Sequence, residues 1–168
     1  MLLCLAGIAL LLACADDKKT SEQTRVVESL LGDTIVFPAS GELVINGQVR
    51  NYNNYPCQGR QLRLFSYING NCSSCVGTMQ GLDSLAGVFS QITPTIPCFY
   101  VYYEDKKGFI YNFDASGILD LPVYLDGQKE VLKTNNFPDN PLYHTLLLDS
   151  TGAVLAVGNP LHTLKLKK

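Results

Sequence analysis

Two cysteines separated by two serines, Cys72-Ser73-Ser74-Cys75, give this chain its clearest capacity for chemistry. Thiols one helical turn apart can close a disulfide, and the pair can then exchange electrons with another dithiol. What surrounds them decides between a redox pair and a structural bond. Leu62 to Ile68 (LRLFSYI) is aromatic, apolar and β-branched, the composition of a largely buried strand. Asn69, Gly70 and Asn71 read as a turn. From Ser73 to Gln91 the apolar residues Val76, Met79, Leu82, Ala86 and Phe89 recur at three- and four-residue steps, which predicts a helix. Cys72 therefore caps a helix start, where unpaired backbone N–H groups and the helix dipole favour a thiolate. On this reading Cys72 is the attacking thiolate and Cys75 the resolving thiol, and Ser73 and Ser74 add hydroxyl donors. A structural disulfide, or a relic pair without turnover, is the competing reading.

The chain has 168 residues, 46% of them hydrophobic, which is enough for one domain with a real core. Its net charge of −2, with no basic patch interleaved with aromatics, gives no case for a nucleic-acid partner. Leu2 to Ala13 is apolar but too short to span a bilayer as a mature helix. It ends Leu11-Leu12-Ala13-Cys14, which resembles the lipobox of bacterial lipoproteins. That resemblance implies a signal peptide over 1–13 and acylation of Cys14. Residues 14–25 are polar and charged and read as a tether. The acidic residues Asp16 and Asp17, just after Cys14, resemble a surface-export signal of some Bacteroidota.

Val26 to Leu31 fits a short helix or strand. Thr34 to Phe37 and Glu42 to Ile45 read as a hairpin around Pro38-Ala39-Ser40-Gly41, and Asn46 to Arg60 reads as loop. Residues 26–60 thus form an extension ahead of a domain over 61–168. Within that domain, Thr93 to Pro97 ends the helix and Cys98 to Tyr103 is a second buried strand. Glu104 to Asp120 is mixed and leaves room for a short helix, and Val123 to Leu125 is extended. Tyr143 to Leu148 and Ala153 to Val157 form a terminal hairpin around Asp149 to Gly152. A helix joins the first two strands, so they must be parallel.

A buried strand leading into Asn71-Cys72-Ser73-Ser74-Cys75, with His144 to Gly152 (HTLLLDSTG) further on, resembles the thioredoxin-like superfamily. Tyr143-His144-Thr145 with the distal Val157-Gly158-Asn159-Pro160 is similar to thioredoxin-like lipoproteins and envelope thiol-disulfide reductases of Bacteroides relatives. The resemblance implies an α/β, thioredoxin-like fold: a central mixed β-sheet with flanking helices, here with an N-terminal β-hairpin extension. It implies a lipid-anchored oxidoreductase in the bacterial cell envelope. Its partners would be envelope protein thiols or disulfides and a second redox protein, with no cofactor. The sequence departs from the family in having Asn71 for the tryptophan before the first cysteine, and Pro141 two residues before the place of the family's cis-proline.

In such a fold His144 stands at a junction facing the cysteine pair. There it could take the Cys75 proton or settle the Cys72 thiolate; a hydrogen-bonded strand histidine is the plain alternative. Glu104, with Asp105, ends the second strand on the same rim and is a candidate proton relay, or else a solvated turn. Cys57 and Cys98 both fall near the opposite end of the sheet, since a six-residue strand is roughly 20 Å long. A structural Cys57–Cys98 disulfide is one reading in an oxidising envelope, two separate thiols the other. No second CxxC or histidine pair completes a zinc site. Cys72, Cys75 and His144 have the ligand chemistry for Cu(I), which leaves copper handling open beside redox exchange and a non-catalytic binding module. Tyr52, Tyr55, Tyr100, Tyr102, Tyr103 and Tyr111 are core aromatics or a binding surface.

Overall fold

Two strands that must lie parallel set the architecture. In a computed structural model that describes residues 21–53, 61–115, 117 and 120–161, β3 (Leu62–Asn69) pairs in parallel with β4 (Thr95–Tyr102), Phe65 opposite Cys98 and Tyr67 opposite Tyr100. Helix α2 (Ser73–Ser90) makes the crossover. Its buried residues Val76, Met79, Leu82 and Ala86 pack against Leu64, Ile68, Phe99 and Val101 on one sheet face. Phe89, which the same periodicity would bury, stands exposed. Alternate residues of the two strands (Phe65, Tyr67, Cys98 and Tyr100) fill a second core on the other face. Burial on both faces is why both strands read as continuous apolar runs.

The other strands extend this pair. Short β5 (Val123–Leu125) adds in parallel to β4, and α3 (Lys106–Ala115) makes that crossover. On the far side β6 (Thr145–Leu148) runs antiparallel to β3, and β7 (Val154–Val157) antiparallel to β6. The N-terminal hairpin β1 (Ser40–Ile45) and β2 (Gln48–Asn53) joins through β1 to β5, giving the seven-strand order β2-β1-β5-β4-β3-β6-β7. Residues 21–30 form helix α1, and a short helix α4 (Glu130–Thr134) follows β5. No helix among the described residues is long and apolar enough to cross a membrane.

Several expected boundaries move. The hairpin turns at Asn46-Gly47, both at positive φ (50° and 67°), so residues 48–53 are strand and not loop. Asn-Gly between strands is the strongest short hairpin signal; Thr34 makes only an isolated bridge to Ala153. β4 begins at Thr95 and contains Pro97. Proline fits there because β5 pairs only with Phe99 to Val101, so that stretch has one ladder partner, β3, and needs no donor on its other side. Before β6, Pro141 to Tyr143 form a 3-10 turn, and the Asn140 side chain accepts from the Leu142 amide. Proline at the first helical position favours that turn over strand. Cys14, Cys57 and residues 162–168 lie outside the described residues, and so do the expected lipidation and the Cys57 partner of Cys98. Cys98 itself is fully buried in β4.

The link from β3 to α2 is tight. Gly70 donates its amide to the Tyr102 carbonyl at 2.8 Å. A Cβ there would stand 2.7 Å from Val101 Cγ1 and 2.8 Å from Phe109 Cδ2. A Gly70→Ala protein is therefore expected to lose about 1–3 kcal/mol through overpacking, read as a lower urea midpoint. The same change should alter the reactivity of the cysteine at position 72, because the displaced segment leads directly into it.

Candidate active site

The turn that Gly70 permits delivers Cys72 to the first turn of α2. Asn71 ties this segment down: its amide donates to Asn69 Oδ1, and its own Oδ1 accepts the Glu104 amide at 3.0 Å. The residue in the family's tryptophan position thus anchors the cysteine loop to the end of β4. Cys72 occupies the N-cap of α2 in an extended conformation, and the Cys75 amide donates to its carbonyl at 2.9 Å. The two sulfurs are not joined to each other in this structure.

The two sulfurs sit in different environments. Cys72 Sγ lies 3.0 Å from the Ser74 hydroxyl. Hydrogen bonding from the Cys75 thiol first, and from Ser74 second, lowers the Cys72 thiol below its ordinary value. Cys75 faces the core that α2 packs on, and burial first, then its bond to Cys72, pushes it up to about 11. Of the two sulfurs, Cys72 is therefore the one that more readily carries the negative charge and Cys75 the one that keeps its proton. Ser74 thus fills the donor role expected of the intervening serines.

Cys72, Cys75, Tyr67, Tyr102, Thr78 and His144 are among the residues lining one groove of about 230 Å³. His144, expected at a junction facing the pair, is at that junction, between the 3-10 turn and β6, and is buried. Its Nε2 lies 2.6 Å from the Pro138 carbonyl. A carbonyl oxygen can only accept, so Nε2 carries the proton and Nδ1 is the ring's acceptor. Burial lowers the histidine from its usual range, against the opposing Pro138 bond and Asp139 charge, so the ring is neutral near pH 7. Glu104 and Asp105 are exposed on the rim where β4 ends. Among the described residues no three His, Cys, Asp or Glu side chains group as a metal site.

Tyr102, expected as a core aromatic or part of a binding surface, forms the groove's aromatic wall with Tyr67, which the sequence reading did not single out. Tyr67 stacks on Tyr102 with ring centroids 5.4 Å apart and meets His144 edge-on at 5.9 Å. The Tyr67 hydroxyl donates to buried Asp126 Oδ2 at 3.0 Å, and the same carboxylate accepts the Glu130 and Val131 amides that open α4. The Asp126-Gly127 pair after a short strand was the available signal. Beneath the groove Ser66 and Thr145 hydroxyls satisfy each other at 2.9 Å.

No family model and no curated relative matches the chain. Solved structures do. A DsbE-type thiol:disulfide interchange protein from Chlorobium tepidum is 15% identical with a TM-score of 0.54, over 82% of this chain and 92% of that one. The thioredoxin domain of a Bacteroides vulgatus thiol-disulfide oxidoreductase is 17% identical with a TM-score of 0.52, over 80% and 96%. An exposed lipoprotein thioredoxin from Streptococcus pneumoniae is 17% identical with a TM-score of 0.53, over 76% and 98%. At these identities the likeness is one of fold, and the fold is thioredoxin-like.

The asymmetry of the pair is measurable. At pH 7 iodoacetamide should label Cys72 well before Cys75, with the rate rising through a midpoint below that of a free thiol. A Ser74→Ala protein should label about two- to fivefold more slowly, having lost one charge-assisted bond to the thiolate. Site-resolved mass spectrometry distinguishes the two sulfurs.

Proposed function

We propose that the protein is a thiol–disulfide oxidoreductase of the bacterial cell envelope, anchored through a lipid on Cys14 and acting on protein thiols or disulfides through Cys72 and Cys75. The observation that carries this reading is the pairing of a semi-exposed, stabilised Cys72 with a recessed Cys75 of raised pKa, at a helix start in a thioredoxin-like fold. A structural disulfide needs no such difference between its sulfurs. Neighbours in fold include an interchange protein and an exposed lipoprotein thioredoxin, which support the activity and the location by analogy.

In the reducing direction, the Cys72 thiolate attacks one sulfur of a substrate disulfide. A mixed disulfide forms, and the other substrate sulfur leaves as a thiolate that takes up a proton. Cys75 then loses its proton and attacks Cys72 Sγ. The second substrate thiol departs, and Cys72–Cys75 is left oxidised. Two electrons have passed to the substrate, and a second redox protein must return them. His144, neutral and with Nδ1 as acceptor, is suited to receive the Cys75 proton. Glu104, exposed on the rim, has the position of a relay to solvent. In the oxidising direction every step reverses. Stabilising the Cys72 thiolate favours the reduced pair and so raises the potential.

The pH sense follows from the shifts. Cys72, depressed in the folded state, contributes stability to the reduced protein above the unfolded thiol pKa. That contribution is lost as pH falls through the lower folded value.

The test is equilibrium titration of the purified protein against glutathione and dithiothreitol, with thiol mass-labelling. The expected result is a reversible two-electron transition between roughly −120 and −270 mV. With Cys75→Ser, a mixed disulfide with a substrate should accumulate. With His144→Gln, the second step should slow more than the first at pH 7. A disulfide that stays closed well below about −300 mV would make the bond structural and sink the reading.

A further inference from the structure

Among the described residues eight have positive φ, and seven of them are glycine or asparagine; the exception is Lys129, at φ 57° and ψ 38°. A left-handed backbone is costly for a side chain with a Cβ, and asparagine bears it better than lysine does. The position is fixed by its surroundings. The Lys129 amide donates to the Asp126 carbonyl at 3.1 Å, closing the turn, and its carbonyl accepts from Lys133 in α4. At the other described positions with this backbone the chain has glycine or asparagine, and here it carries a long cationic side chain.

That side chain has a destination. Lys129 Nζ lies 4.5 Å from the centre of the Tyr102 ring, the same ring that stacks on Tyr67 and lines the cysteine groove. Ammonium over the face of a tyrosine is attractive through the ring quadrupole. No lysine or arginine is among the described residues that line the groove.

We propose that Lys129 is a positioning residue of the redox groove: its ammonium holds the Tyr102 wall beside the cysteine pair and supplies a positive charge that the groove lining lacks. The inference rests on Cys72 reacting as a thiolate, the premise of the proposed function. The backbone of the Asp126–Lys129 turn carries the side chain whose ammonium lies over the Tyr102 ring, so the cost of the left-handed conformation is tied to that contact. The opposing charge on this rim is Glu104, and the other titratable groups facing the thiolate are Cys75, Tyr67, Tyr102 and His144. A positive charge within a Debye length acts on a thiolate, and salt screens it.

The experiment compares native protein, Lys129→Asn and Lys129→Arg. Each is followed by Cys72 iodoacetamide labelling across pH, by thiolate absorbance, and by urea unfolding. Asparagine suits the backbone and removes the charge; arginine keeps the charge and the ring contact. The expected result for Lys129→Asn is an upward shift of the Cys72 titration and about two- to fivefold slower labelling at pH 7 in low salt. That difference should narrow in high salt, and the urea midpoint should be unchanged or higher. Lys129→Arg should behave as native. Native labelling kinetics in Lys129→Asn would overturn the proposal. So would slower labelling with a fallen urea midpoint that arginine does not rescue, since the role would then be structural. Labelling needs no turnover, so a native protein that fails to exchange disulfides while Lys129→Asn still slows Cys72 would remove the oxidoreductase reading and leave this one standing.

Discussion

Parallel pairing of β3 with β4 is the constraint from which the site follows. Parallel neighbours need a crossover, and a crossover over a sheet face is most readily a helix. The helix must start where β3 ends, so its N-terminus arrives at one rim of the sheet together with the end of β4. Cys72 inherits that position. Closing so short a link requires β3 and β4 to approach at Gly70, where the amide bonds the Tyr102 carbonyl and no side chain fits. The same bond brings Tyr102, a wall of the groove, beside the cysteines. One hydrogen bond and one missing Cβ thus couple the sheet to the chemistry.

The two sulfurs differ because a helix start slants across the boundary between solvent and core. Cys72 caps the helix and is open to donors; Cys75, one turn on, turns toward the apolar layer of Val76, Met79 and Phe109. Burial disfavours a charged sulfur there, while the remaining Cys75 proton stabilises its partner. Each thiol therefore sharpens the difference in the other. No ion pair is needed for this, and the Lys106–Glu42 salt bridge joins α3 to β1.

The central elements were legible because their burial is two-sided. Leu62 to Ile68 has no polar alternation to confuse with a surface strand, and α2 carries its apolar stripe without a break. The parallel pairing of β3 with β4 and the antiparallel terminal hairpin followed from connection rules. What escaped was set by local chemistry with little apolar signal. β2 has one buried residue, Tyr52, in six, so its polar run looked like loop although Asn46-Gly47 marked the turn. α4 spans five residues, below the length at which periodicity can be seen, and exists because Asp126 caps it. His144 was read within the strand run Tyr143 to Leu148 at a loop–strand junction, and it stands between the 3-10 turn and β6. Its protonation state was not legible, because that depends on a carbonyl six residues earlier brought close by the Pro141 turn.

Proton traffic in the groove narrows to one side chain by elimination. Tyr67 and Tyr102 are held protonated, chiefly by burial. Ser66 and Thr145 are spent on each other. Asp126, the nearest buried carboxylate on this wall, already accepts a tyrosine hydroxyl and two helix amides, an arrangement that uses its charge to fix α4. The tyrosine it fixes stands between it and the groove. Among the described lining residues this leaves His144 Nδ1 as the group able to accept a proton near neutral pH, other than the thiolate itself. Burial keeps that nitrogen free of a proton, and the Pro138 carbonyl determines which nitrogen it is. A ring held neutral can take the Cys75 proton only transiently and must pass it to solvent. On the proposed mechanism, a mixed disulfide on Cys72 is what draws the recessed thiol into giving up its proton.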